Sequence, residues 1–144
     1  MGKIAINFEN PDSEIKIQKH KYVTSFHPEK CYVMIGCLGG LGHTLTHWMV
    51  GRGARKFAFL GRSGLQKSSA RKLIEDLDLL GVRSVVISGD ICNDVNAEAF
   101  VDAAAALGSI GGVVHAAMSF NESISADMPA SYWHTGIDPK VKGS

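Results

Sequence analysis

From residue 31 onward the apolar positions fall into short unbroken runs, separated by segments with helical spacing. Cys31-Tyr32-Val33-Met34-Ile35 is the first run and ends in glycines. Leu41, Leu45, Trp48 and Met49 follow at i, i+4, i+7 and i+8, which predicts one face of a helix stopped by Gly51 and Gly53. Phe57-Ala58-Phe59-Leu60 is a second run, closed by Gly61. Ser68 or Ser69 caps the next predicted helix, with Leu73, Ile74, Leu77 and Leu80 on its inner face and Gly81 at its end. Ser84–Ser88 reads as a third strand. Asn93 or Asp94 caps a helix carrying Phe100, Ala103, Ala104 and Leu107, and residues 112–117 read as a fourth strand. One more helix is expected around Pro129 to Thr135.

Unbroken apolar strands are buried on both faces, and strands alternating with amphipathic helices make right-handed crossovers in a parallel sheet. The expected class is α/β: a partial Rossmann-like, doubly wound sheet of order 3-2-1-4, stopping before strands five and six. Strand four would then have a bare outer edge, so the free chain is expected to be unstable or to self-associate. Residues 1–30 differ from this body. Lys3–Phe8 and Glu14–Gln18 alternate around a turn-like Glu9-Asn10-Pro11-Asp12-Ser13, as in two short strands or a loose hairpin. The chain therefore divides into an arm or linker, 1–30, and a nucleotide-binding unit, 31–144.

Composition narrows the function. Fifteen Lys and Arg against fourteen Asp and Glu leave no concentrated positive field for nucleic acid or an anionic membrane. No apolar run approaches a membrane span of roughly 18 residues, and the N-terminus has no signal-peptide core. Three cysteines without CxxC spacing argue against a disulfide scaffold or zinc module and for a reducing, cytoplasmic setting.

The candidate chemistry begins with Gly36-Cys37-Leu38-Gly39-Gly40-Leu41-Gly42, between the first strand and first helix. Glycines there let backbone N–H groups approach a pyrophosphate at a helix N-terminus. The spacing is GxxxGxG through Gly36, Gly40 and Gly42. The second strand ends in Gly61-Arg62-Ser63-Gly64, where NAD sites carry an acid for the ribose 2′-hydroxyl. Arginine and serine instead suit a 2′-phosphate, hence NADPH; an ordinary surface arginine is the competing reading. Asp90 closes the third strand and either accepts from an adenine amino group or makes a plain turn. His115-Ala116-Ala117 ends the fourth strand beside the cofactor ribose, although His115 by itself reads as a core histidine. His43 and His47 stand at i, i+4, but no HExxH pattern surrounds them, and no metal is expected. A P-loop is excluded because no GK[ST] follows the glycines, and Arg62 speaks against a methyltransferase using S-adenosylmethionine.

Taken in order, Tyr32 to Gly42, Arg52–Arg55, Leu60–Gly64, Gly89-Asp90-Ile91, Val113–Ala117 and Pro139–Gly143 resemble the ketoreductase domain of polyketide synthases. That domain is a branch of the short-chain dehydrogenase/reductase superfamily. Gly2-Lys3-Ile4, Trp48-Met49-Val50 and Ala117-Met118 most resemble the highly reducing iterative synthases of fungi. The resemblance covers nearly the whole chain. It implies NADPH-dependent reduction of a β-ketoacyl thioester, delivered on an acyl carrier protein, to a β-hydroxyacyl thioester. It places Gly36, Leu38, Gly39, Gly40, Leu41, Gly42, Arg62, Ser63, Asp90, Ile91, His115, Ala116 and Ala117 at the cofactor, and Lys140 as the lysine of a Lys, Ser, Tyr and Asn set. Tyr22, Tyr132 and Ser144 do not match the family's tyrosine and serine motifs, so the chain reads as a fragment partnered by the remainder of a ketoreductase or synthase. Phe120-Asn121-Glu122 departs from the stretch that indicates stereochemistry, and Cys37 adds bulk to the phosphate loop. A non-catalytic nucleotide-binding or structural module docking on another subunit is the alternative.

Overall fold

The computed structural model describes residues 23–119 and 123–143. Four strands form one parallel sheet: β1 (Cys31–Ile35), β2 (Lys56–Gly61), β3 (Arg83–Ser88) and β4 (Ile110–His115). Their order is β3-β2-β1-β4, as the apolar runs predict. The connecting helices are α1 (Gly40–Val50), α2 (Ser68–Leu79) and α3 (Asp94–Leu107); a 3-10 turn and α4 (Ala130–Val141) follow β4. Central β1 lies between β2 and β4, and every residue of β1 is buried.

Alternation along the strands divides the core in two. Tyr32, Met34, Phe57 and Phe59 face α1 and α2, meeting Met49, Val50, Leu73 and Leu77. Cys31, Val33, Ile35, Ala58 and Leu60 face α3, meeting Phe100 and Ala104. The small Ala58 and Ala104 leave room for the Phe100 ring, the largest side chain that α3 buries.

Several local expectations change. The inner face of α1 is Gly42, Thr46, Met49 and Val50, with Leu41 89% exposed. Gly42 lies against the Cys37 backbone and sets this rotation. The buried Thr46 hydroxyl is satisfied by donating to the Gly42 carbonyl at 2.8 Å. Trp48 turns instead to the incoming segment, edge-on to Phe26 and beneath the Arg52 guanidinium at 4.3 Å. Neither Ser68 nor Ser69 caps α2; the N-cap is Lys67, without a side-chain bond, because the chain enters the helix one residue earlier. Leu80 is exposed because Gly81, at φ +68, reverses the chain and gives the buried place to Val82. Asn93 does cap α3, accepting from Asn96 N–H at 3.1 Å.

β4 starts at Ile110 rather than Gly112, with an irregularity opposite Cys31 and Tyr32. Ala116 N–H still donates to Ile35 C=O at 2.8 Å beyond its end. Among the described residues, β4 pairs with β1 alone, and Val113 is 60% exposed. α4 runs past Thr135 to Val141, with Pro139 in its last turn and no buried residue. Most of the expected arm hairpin lies outside the described residues; residues 23–30 hold no strand and end in a turn. Among the described residues, no helix is long and apolar enough to cross a membrane.

The turn before β1 is tied down by charge. Lys56 Nζ, almost wholly buried, meets exposed Glu29 Oε2 at 2.8 Å. Hydrogen bonding and charge from Lys56 hold the Glu29 carboxyl below its ordinary range.

Two stability outcomes follow from this packing. Phe100→Ala should cost about 3–5 kcal/mol by urea denaturation, since it empties the α3 face of the core. Glu29→Gln should destabilise at pH 7. A depressed carboxylate contributes stability above its unfolded pKa and loses it as pH falls through the folded one. The gap between variant and parent, read from melting curves, should therefore close as the pH drops below the ordinary carboxylate range.

Candidate functional site

The carboxyl ends of parallel strands are where an open α/β sheet leaves a crevice, because consecutive crossovers turn to opposite faces there. Here β1 and β4 part company, with α1 going to one face and α3 to the other. A cleft of about 300 Å³ opens along that edge.

Gly36 ends β1 at φ +73, donating its N–H to Leu60 C=O at 2.8 Å. A Cβ there would lie 2.5–2.9 Å from the backbone of Ala116 and Ala117. Only glycine combines that torsion with that approach. Cys37 then turns inward and is fully buried, so its bulk enters the core and not the cleft. Burial pushes its thiol pKa up. Gly42 closes the loop, since a Cβ on it would stand 2.3–2.6 Å from Cys37 backbone atoms. The loop is thus clamped at both ends, while Gly39 has open space where a side chain would project.

Nine of the residues singled out from the sequence lie around the cleft. Gly36, Leu38 and Gly39 come from the β1–α1 loop, and Arg62 and Ser63 from the end of β2. Asp90 and Ile91 follow β3, and Ala116 and Ala117 follow β4. Gly40, Leu41, Gly42, His115 and Lys140 do not line it. Leu41 points to solvent. Gly42 acts behind the loop as a packing contact.

The β2 end is cationic. Arg62 Nη2 donates to Ser119 Oγ at 3.1 Å, a bond that spans the cleft from β2 to the segment after β4. Lys67, the residue before α2, also lines the cleft, and sequence spacing had not singled it out. Its signal was available: a lysine three residues beyond Gly64 at the start of a helix. Ala70 and Ser119 also line the cleft and lie outside the motifs, whereas Gly64, Gly89, Met118 and Pro139 lie within motifs but were not singled out as site residues. Asp90 makes an Asx turn, its Oδ1 accepting from Cys92 N–H at 3.0 Å.

Lys140 and His115 meet just behind this edge. Lys140 Nζ donates to the His115 carbonyl at 2.9 Å and stands 3.4 Å from His115 Nδ1. His115 Nε2, on the other side of the ring, is buried and has no hydrogen-bond partner among the described residues. The two residues therefore act as one unit, connecting α4 to the end of β4.

A family model described as the KR domain matches residues 31–144. Highly reducing polyketide synthase anuA of Penicillium roqueforti is 59% identical over 144 residues, covering 100% of this chain and 7% of that protein. Highly reducing polyketide synthase virA of Hypocrea virens is 47% identical over 144 residues, covering 100% of the chain and 6% of that protein. The chain thus spans less than a tenth of the length of these relatives. Among solved structures, an N-terminal ketoreductase from the macrolactin assembly line superposes with a TM-score of 0.75 at 22% identity, covering 88% of this chain and 26% of that one. The first ketoreductase of the tylosin synthase gives 0.71 at 22% identity, covering 83% and 25%. At such identities the likeness shows the fold.

The clamp makes a contrast between two neighbouring glycines. Gly36→Ala should lower the melting temperature by several degrees, because torsion and contact both oppose a Cβ. Gly39→Ala, with an extended φ and nothing within 4 Å, should leave it nearly unchanged. Thermal denaturation of the two variants side by side checks this.

Proposed function

The chain belongs to the KR domain family, and from that premise we propose that it is the cofactor-binding part of an NADPH-dependent β-ketoacyl reductase. The substrate is a β-ketoacyl thioester on an acyl carrier protein, and the product is the β-hydroxyacyl thioester. The setting is a larger polyketide synthase in the cytoplasm, with no role for nucleic acid or membrane.

The observation that carries this reading is the cationic β2 end inside a glycine-clamped cleft. Arg62, Ser63 and Lys67 gather where a ribose 2′-phosphate would lie, and no carboxylate follows β2 to receive a 2′-hydroxyl. The residues fit a dinucleotide on a second count. The Gly36 contact keeps the β1 end free of side chains beside Ala116 and Ala117, so backbone is presented on both walls. Asp90 Oδ1 accepts from Cys92 N–H in its own turn, which holds the carboxylate at the cleft where an adenine amino group would donate. We infer roles for Gly36, Leu38, Gly39, Ile91, Ala116 and Ala117 as the surface against the cofactor. Gly42 shapes the loop from behind, and Gly40 supplies a positive φ at the start of α1.

When bound, the nicotinamide supplies a hydride to the keto carbon. This chain's residues orient that cofactor and place one cation behind the reaction centre. Lys140 holds its ammonium against the His115 carbonyl, fixed by α4. By the family resemblance, that charge would lower the pKa of a tyrosine that protonates the carbonyl oxygen, with a serine polarising it. Neither matches a motif in these 144 residues, so both groups come from elsewhere in the reductase. The same fact supports the second reading, a nucleotide-binding module that docks on another subunit without turning over substrate by itself.

Cofactor binding is the direct test. NADPH should bind more tightly than NADH in a fluorescence titration. A charge-assisted hydrogen bond contributes about 1.5–3 kcal/mol, so Arg62→Glu should weaken NADPH about ten- to a hundredfold. NADH binding should change far less. Equal affinity of the parent chain for the two nucleotides would overturn the assignment.

A further inference from the structure

We propose that His43, His47 and Asp76 form a binding site for a zinc-class transition-metal ion at the junction of α1 and α2. Neither the cofactor cleft nor the reductase reading is involved. His43 and His47 stand one turn apart on α1, and their Nε2 atoms are 3.2 Å from each other. Asp76, from α2, brings Oδ2 to 3.8 Å from His43 Nε2 and 3.7 Å from His47 Nε2.

These three separations define a triangle, and the point equidistant from its corners lies about 2.1 Å from each. That is the bond length of zinc to imidazole nitrogen and carboxylate oxygen. The edges can be compared with the spacings that each geometry needs. Ligands at that length stand about 3.4 Å apart in a tetrahedron and about 3.0 Å apart on the face of an octahedron. The His43–His47 edge, 3.2 Å, lies between the two spacings, and the two edges to Asp76, 3.8 and 3.7 Å, exceed both, so a tetrahedral ion forms when the Asp76 oxygen closes in by about 0.3–0.4 Å and the ion rises out of the plane of the three atoms. The donor set, two imidazoles and one carboxylate, suits zinc, cobalt, nickel or copper rather than magnesium or calcium.

Direct hydrogen bonding explains the group less well. The two imidazoles share one proton at 3.2 Å, but the carboxylate oxygen lies beyond hydrogen-bond range of both. A cation at the centre satisfies all three atoms at once. The side chains are 30–37% exposed, so water reaches the fourth position. Bound there, the ion ties the helix that follows the glycine loop to the helix that follows the cationic β2 end.

The test uses chelator-stripped chain titrated with Zn²⁺ by calorimetry and with Co²⁺ by visible absorption. The expected result is one Zn²⁺ per chain, with Co²⁺ giving the intense bands of tetrahedral coordination. His43→Ala, His47→Ala and Asp76→Asn should each weaken binding at least tenfold, while His134→Ala should not. No saturable Zn²⁺ binding, or binding unchanged in all three variants, would overturn the proposal. Should a variant fail to fold, long-range ¹⁵N–¹H spectra of the parent chain decide. Zn²⁺ must shift Nε2 of both His43 and His47, and its leaving both in place also overturns the site.

Discussion

No side chain fits between the end of β1 and the end of β4. At Gly36 the backbone passes so close to Ala116 and Ala117 that a single methyl group would collide, at a torsion that L-residues rarely adopt. That contact lets β1 and β4 stay paired to their last residues and then diverge. The divergence sends the chain into α1 and opens the cleft. A second contact of the same kind, Gly42 on Cys37, fixes how α1 is rotated about its axis. Rotation in turn decides what α1 buries, and it places His43 and His47 toward α2.

The cleft gathers its polarity from four separate chain segments. Arg62 and Lys67 supply positive charge at the β2 end, and Ser119 reaches Arg62 from beyond β4. Lys140 supplies a third cation behind the edge, held on the His115 carbonyl. A glycine-lined wall with cations at one end suits a ligand that is itself polar and anionic at that end. His115 Nε2 is buried without a partner among the described residues, and an unpaired polar atom is unfavourable inside a protein.

Some of this was legible in the residues. The unbroken runs at Cys31–Ile35 and Phe57–Leu60 are hydrophobic at every position because both sheet faces are covered, so strand type followed from the runs, and sheet order from their alternation with crossover helices in a doubly wound fold. The glycine loop and Arg62 could be read because each depends on a residue type at a fixed place after a strand. The inner face of α1 could not. Leu41 and Trp48 fit the helical period as well as Gly42 and Thr46 do, and hydrophobicity favours the wrong pair. Packing against the Cys37 backbone overrode the pattern there, just as the Phe26 and Arg52 contacts drew Trp48 away from the sheet.

The sequence by itself determined the elements, their parallel order and the edge at which a ligand would sit, because these rest on periodicity and on residue types local to one strand or loop. Tertiary structure alone decided which side chains from distant segments meet. Lys67 enters the cleft through the start of α2. Lys140 finds His115 only when α4 returns to the end of β4. Asp76 completes the histidine pair from another helix. Helix spacing reveals neighbours along one helix, three and four residues apart, whereas a contact between two helices depends on their axial rotation and packing distance. Those are set by backbone contacts such as the one at Gly42, which no local pattern encodes.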